Sequence, residues 1–406
     1  MSSFFSTFLD ELNTIKQTGG YKHERIIESA QGPRVIIKNM EVLNLCANNY
    51  LGLANSPILK ESACKAMNEF GLGMASVRFI CGTQTIHREL EKKISQFMMT
   101  DDAILYSSCF QANIGLFQTL LNEHDAVLSD ELNHGSIIDG IRLSKARRYI
   151  FKHNDMEHLE LLLHKAKEED SRRILVATDG VFSMEGYMAN LSKIRELCDK
   201  FGAIMMVDDS HGTGCIGKTG RGSIEECGVL GKVEIITSTF GKALGGTLGG
   251  FICGNQIIID LLRQRSRPYL LSNSLPPPLV MAGLTAIKLV EDANVLRDRL
   301  RDNTIYFRER MKNAGFDIGS GYHPIVPIMI GDAELARRMA EELFTEGIYV
   351  VAFSYPVVPE GKARIRVQIS SAHTYSELDR AIDAFTRVGR KLGIINHNQK
   401  IFTTFS

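Results

Sequence analysis

Lys242 stands where a lysine could act as an amine nucleophile. The stretch VEIITSTFGKALGGTLGG, Val233 to Gly250, opens as an apolar, β-branched run that reads as a buried strand. It passes through Ser238, Thr239, Phe240 and Gly241 to Lys242, then into Gly245, Gly246, Gly249 and Gly250, where glycines let backbone approach a ligand closely. A free lysine has a pKa of ~10.4 and is protonated at neutral pH. Desolvation or nearby positive charge turns it into a Schiff-base nucleophile or a base. A lysine that only holds an anion or sits in solvent would look the same, so its partners must decide.

The partners sit after other apolar runs. Ile204-Met205-Met206-Val207 ends in Asp208-Asp209-Ser210-His211, and a carboxylate at the end of a buried strand is costly without a cation. A protonated pyridine nitrogen is such a cation, and the pair makes an electron sink. Tyr106 to Gln111, YSSCFQ, leads from a strand into a helix and could seat a phosphate on backbone amides and hydroxyls. Asn133-His134-Gly135-Ser136 supplies an imidazole after the next strand, and Thr178-Asp179-Gly180-Val181-Phe182-Ser183 a hydroxyl after another. Each piece alone is ordinary turn chemistry or helix capping. Their recurrence at successive strand ends is what points to a site.

One motif points elsewhere. Gly212 to Thr219, GTGCIGKT, matches both GxGxxG and GxxxxGK[ST] after a strand, which would mean a nucleotide. Both motifs need a helix to begin in the loop. Here Gly220-Arg221-Gly222 follows at once, and glycine costs about 1 kcal/mol in a helix. Glu234, about 20 residues on, opens a strand where a ribose contact should close one. The nucleotide reading stays as the alternative of another class.

The elements that must hold these residues alternate. Strands are expected at 103–107, 126–129, 148–152, 174–178, 203–208, 234–237 and 250–253, with helices at 111–121, 156–169, 190–201 and 256–264. That alternation predicts an α/β layer with a mostly parallel sheet and ligands at the strands' carboxyl ends. An N-terminal amphipathic helix, a hairpin at 34–45 and a turn-rich NLCANNYLGL precede it, and helices are expected at 57–70 and 87–98. Two further helices after Pro276-Pro277-Pro278 lead into an α+β region from about Gly315. The division expected is 1–50 for the N-terminal helix and hairpin, 51–292 for the large domain, 293–394 for the small one and 395–406 for a tail.

Composition narrows the class. Lysine plus arginine and aspartate plus glutamate both number 47 in 406 residues, with no long basic run, which argues against nucleic acid or anionic membrane as partner. No apolar run is long enough to span a bilayer. Eight scattered cysteines without a CxxC pair suit a reduced, cytoplasmic enzyme better than a disulfide framework or a metal site, and no metal is expected.

Taken together, CANNYLGLA, GMASVRFICGTQ, AILYSSCFQAN, LNHGSIIDG, TDGVFSMEG, VDDSHGTG, FGKALGG, RPYLLSNSLPP and ARIRVQIS resemble the α-oxoamine synthases of the pyridoxal-phosphate fold-type I superfamily. The likeness covers roughly residues 1–394. It implies a seven-stranded, mostly parallel sheet with a smaller C-terminal α+β domain, and pyridoxal 5'-phosphate (PLP) as cofactor. By this resemblance Lys242 forms the Schiff base, Asp208 pairs with the pyridine nitrogen and His134 stacks on the ring. Cys109, Phe110 and Thr239 would hold the phosphate, and Ser183 and His211 the phenolic oxygen side. Asp209, Ser210, Phe240 and Gly241 belong to the same cofactor-binding segments. Ser272 and Asn273 would reach in from a second subunit, implying a homodimer. Asn48, His134 and Arg366 would bind the amino acid. Strand alternation cannot choose between Arg364 and Arg366, which share a face; the resemblance picks Arg366. The implied reaction joins glycine to acetyl-CoA, and a sister synthase such as an 8-amino-7-oxononanoate synthase is the alternative. Gly135 and Thr247 differ from the commoner residues of these motifs.

Overall fold

Branched apolar runs bounded by glycine and polar turns form the strands of the computed structural model, which describes residues 3–17 and 20–396. In chain order these are β1 (Arg34–Ile37), β2 (Met40–Asn44), β3 (Asp102–Tyr106), β4 (Ala126–Asp130), β5 (Arg147–Phe151), β6 (Ile174–Asp179) and β7 (Ile204–Asp208). They continue as β8 (Ile235–Thr239), β9 (Gly250–Gly254), β10 (Ile325–Gly331), β11 (Ile348–Tyr349), β12 (Ala352–Phe353) and β13 (Ala363–Gln368).

Strands β3 to β9 make one seven-stranded sheet in the order β3-β9-β8-β7-β6-β4-β5. Neighbours from β8 to β5 pair parallel, and β9 runs antiparallel to both β8 and β3. Every residue of β3, β4, β6 and β9 is buried, as expected for strands covered on both faces. The core between sheet and helices gathers Ile104, Leu116, Phe117, Val127, Ile137, Leu175, Met206, Ile235 and Ile252. Each expected strand of this sheet is present within a residue or two of its expected bounds.

The helix Gly135–Leu143 was not expected. Its first residues, glycine and serine, are poor helix formers, and its N-cap is His134, whose ring accepts from the Ser136 amide. It packs on the helix Cys109–Leu120, and Gly140 permits that closeness: a Cβ there would stand 2.6 Å from the Asn113 carbonyl oxygen.

The chain divides into two units. One, counted over its described residues, draws on Asn48–Ser183 and Tyr187–Arg299 and contains the seven-stranded sheet. The other draws on Met1–Ala47, Met184–Gly186 and Leu300–Ser406, again counted over described residues. The first strands thus group with the C-terminal region rather than standing apart. Their reason is a pairing: β1 and β2 form the expected hairpin, and β11 adds to β2 in parallel. Val35, Ile37 and Val42 are buried there against Ile27, Phe344 and Tyr349. A second sheet of this unit has the order β10-β13-β12, all antiparallel. The expected tail lies, beyond residue 396, outside the described residues.

Candidate active site

The carboxyl ends of β3, β4, β6, β7 and β8 deliver side chains to one cavity of about 190 Å³. Lys242 follows β8 in a turn closed by the Gly246 amide on the Lys242 carbonyl, 3.0 Å, and by the Thr247 amide on the Phe240 carbonyl, 3.0 Å. Asp208 is the last residue of β7 and is 4% exposed. Its carboxylate accepts from Asn113 Nδ2 at 2.7 Å, from the Ser210 amide at 3.0 Å and from the Cys109 thiol at 3.6 Å. Burial, with Asp208 beside it, pushes the Cys109 thiol well above the ordinary thiol range, so it is a neutral donor here and not a nucleophile.

His134 is exposed along the cavity. Its backbone amide donates to Asp179 Oδ2 at 2.7 Å. Its Nδ1 lies 2.7 Å from Ser136 Oγ and accepts from the Ser136 amide at 3.2 Å. A nitrogen that accepts an N–H carries no hydrogen, so the ring hydrogen is on Nε2. Desolvation by the cavity walls holds the imidazole pKa below its usual value, against the pull of Asp208 and with the help of Lys242. His134 is therefore neutral and an Nε2–H donor. Asp179, fully enclosed beside Asp208, has its pKa pushed well above the carboxylate range.

The helix Cys109–Leu120 starts at the cavity, capped by Ser108 Oγ accepting from the Gln111 amide at 3.2 Å. Its first amides are left without helical partners and point as an anion seat. Gly250 on β9 makes that placement possible: a Cβ there would sit 2.2 Å from the Cys109 nitrogen.

Of the residues expected from sequence, Cys109, Phe110, His134, Ser183, Asp208, Ser210, His211, Thr239, Gly241 and Lys242 line the cavity. Asp209 and Phe240 stand behind its wall. Asp209 is fully buried, accepting from Thr213 Oγ1 at 2.8 Å and from the amide and hydroxyl of Ser223, and burial raises its pKa to about 7. Gly222, at φ 84°, makes room for it; a Cβ would fall 1.6 Å from Asp209 Oδ2. Phe240 is a core ring packed on Phe251, 5.5 Å between centroids. Ser272 and Asn273 lie after the short helix Arg267–Leu270, by a different, smaller cavity with Arg78 and Tyr269. Asn48 is half-buried in the coil after β2.

In the other unit, both arginines that alternation left open lie on β13. Arg364 is 4% exposed and engaged, donating to Glu185 Oε1 at 2.8 Å, to the Met184 carbonyl at 3.2 Å and to the Lys362 carbonyl at 3.0 Å. Arg366 is half-buried, its guanidinium 4.7 Å from the Phe353 ring centroid.

Sequence reasoning missed Tyr50, whose hydroxyl bonds His211 Nδ1 at 2.8 Å, as well as Asp179, Asn113 and Ser136. The nucleotide reading fails locally. No helix begins within Gly212–Thr219; the Thr219 amide and hydroxyl go to the Glu225 carboxylate at 3.0 and 2.8 Å, and Lys218 is exposed.

A lysine amine, a buried carboxylate, a neutral imidazole and a helix N-terminus around one cavity fit PLP. The carboxylate suits a protonated ring nitrogen and the helix amides suit a phosphate. A mostly parallel sheet whose strand ends carry this set is the fold type I architecture of the PLP-dependent transferases. The chain belongs to the aminotransferase class I and II family, whose model matches residues 40–385. It is 53% identical over 393 residues to 2-amino-3-ketobutyrate coenzyme A ligase of Escherichia coli K12, covering 97% of this chain and 99% of that protein. It is 47% identical over 391 residues to 8-amino-7-oxononanoate synthase of Thermosipho melanesiensis, covering 96% and 99%. Among solved structures, serine palmitoyltransferase from S. paucimobilis with bound PLP–myriocin aldimine superposes with a TM-score of 0.91 at 30% identity, over 97% of this chain and 99% of that one.

Proposed function

We propose that this protein is a PLP-dependent acyltransferase that condenses glycine with acetyl-CoA to 2-amino-3-oxobutanoate and CoA, and runs the reverse cleavage in threonine breakdown. The observation that carries the chemistry is the meeting of Lys242, Asp208 and His134 in one cavity at the start of the helix Cys109–Leu120. The substrate pair rests on the 53% identity to the E. coli ligase, above the 47% to the oxononanoate synthase.

When bound, PLP supplies a protonated ring that takes up the electron pair left as a proton leaves the carbon beside an amine. Asp208, hydrogen-bonded on both oxygens, holds that ring nitrogen protonated. The first amides of the helix Cys109–Leu120, with Thr239, hold the phosphate; Ser183 and His211 hold the phenolic oxygen side, His211 braced by Tyr50. Lys242 would hold the cofactor through its amine, and that amine is placed to take up the glycine α-proton. His134 Nε2–H donates to the oxygen that gains charge as the thioester carbon is attacked. Asn48 and Arg366 bind the amino acid, Arg366 gripping its carboxylate; the engagement of Arg364 by Glu185 supports that choice. Ser272 and Asn273 complete the site of a partner subunit in a homodimer. The protein acts as a cytoplasmic enzyme.

CoA release across a grid of amino acids and acyl-CoAs tests the reading. Glycine with acetyl-CoA should give the highest kcat/KM. Propionyl-CoA should lose only about 10- to 200-fold, since one methylene is worth about 1–3 kcal/mol. A best pair of alanine with pimeloyl-CoA, or serine with palmitoyl-CoA, would keep the family and overturn the substrates.

A further inference from the structure

His134 and Asp208 are joined by two buried residues, Asn113 and Ser136. Asn113, one helical turn beyond Cys109 and fully buried, donates through Nδ2 to Asp208 Oδ2 at 2.7 Å and to Ser136 Oγ at 2.9 Å. Ser136, 1% exposed, places that same Oγ 2.7 Å from His134 Nδ1. We propose that Asn113 and Ser136 are positioning residues that couple the Asp208 carboxylate to the His134 imidazole and hold that ring as an Nε2–H donor.

The directions follow from what each group can do. A carboxylate only accepts, so the Asn113 nitrogen must face Asp208. Its second N–H then points at Ser136 Oγ, whose own hydrogen is left for His134 Nδ1. Reversing the amide would set its oxygen against the carboxylate. Among the described residues Asn113 Oδ1 has no hydrogen-bond partner, the kind of buried deficit expected where an orientation is imposed by function and not by satisfaction of every polar atom. Accepting from Asn113 also polarises the Ser136 hydroxyl and makes it a better donor. Both effects stabilise the neutral imidazole.

Besides these hydrogen bonds, Asp208 raises the His134 pKa through space, Lys242 lowers it, and Asp179 accepts its backbone amide. Across the cavity stands His211. The inference rests on the proposed roles of His134 and Asp208. Its test reads the imidazole itself, so a protein that failed to condense glycine with acetyl-CoA would still answer it.

The experiment is a histidine-labelled NMR titration of the full-length protein, with and without PLP, the His134 signal being assigned by its loss in His134→Gln. Ser136→Ala should raise the His134 midpoint by about 0.5–1 pH unit, the value of one lost neutral hydrogen bond, and Asn113→Ala should raise it by a smaller amount, because it weakens the Ser136 donor without removing it. The double variant should move no further than the larger single one, because both act through one hydroxyl. Ser136→Thr, which keeps the hydroxyl, should return the wild-type midpoint, and Asn113→Ser serves if Asn113→Ala does not fold. Unchanged midpoints in folded single variants, or a double shift equal to the sum of the two, would overturn the coupling.

Discussion

Replacing Gly250 by alanine should dislodge the proposed phosphate seat. The added Cβ would lie 2.2 Å from the Cys109 nitrogen and 2.5 Å from the Ser108 carbonyl carbon, whereas ordinary contact begins at 3.4 Å. Backbone must therefore part by about 1.2 Å, the difference between the contact and built distances. β9 is held on both sides, Gly250 pairing with Tyr106 of β3 and Thr239 of β8, so the start of the helix Cys109–Leu120 is what gives. Overpacking of this kind costs about 1–3 kcal/mol, a fall in Tm of roughly 2–4 °C per kcal/mol in a unit this large. Misplacing binding groups by about 1 Å costs on the order of a hundredfold. Gly254→Ala is the control. Its Cβ would meet the Glu234 carbonyl oxygen, also at 2.2 Å, but at the far end of β9, opposite Asp102 and Ile235. Thermal denaturation should show similar losses for the two variants, and equilibrium titration with PLP should show weakened binding for Gly250→Ala alone. Wild-type PLP affinity in Gly250→Ala, or an equal loss in Gly254→Ala, would refute the reasoning.

Two other perturbations separate stability from assembly. His373 is buried, accepts from the Ser370 amide at 3.1 Å and has Nε2 on the Asn44 carbonyl at 3.1 Å; burial lowers its pKa from 6.5 to about 4. The unfolded chain then binds a proton that the native ring refuses, so stability drops as pH falls from 6.5 toward 4, by about 2 kcal/mol between pH 7 and 5. Asp209, raised to about 7, works in the opposite sense but equally in wild type and His373→Gln. Urea denaturation of both at pH 7 and 5 isolates the histidine, and an unchanged difference between them would contradict its assignment. If Ser272 and Asn273 complete a partner's site, mixing Lys242→Ala with a Ser272→Ala, Asn273→Ala double variant should restore about a quarter of wild-type activity, since half the dimers then hold one intact site of two. No recovery after confirmed subunit exchange would argue for self-contained sites.

What the sequence made legible was local. The branched runs ending at Asp179, Asp208 and Thr239 name their strands and put chemistry at the strand ends, because burial on both faces leaves no other pattern. Lys242, Asp208 and His134, expected at strand ends, line one cavity. Long-range pairing was not legible: nothing near β2 announces a parallel partner about 300 residues away at Ile348–Tyr349. Asn113 looks like a polar intruder on an apolar helix face until Asp208 and Ser136 are brought beside it. The pairing of Arg364 with Glu185, far away in the chain, was likewise not legible.

The most direct test of the central claim is to reduce the PLP-loaded protein with borohydride and map the modified peptide by mass spectrometry. Reduction should fix the cofactor to Lys242 in the peptide that follows β8, and glycine added before the borohydride should diminish that adduct. An adduct on Lys218 or any other lysine, or none on Lys242 in protein that has bound PLP, would contradict the account.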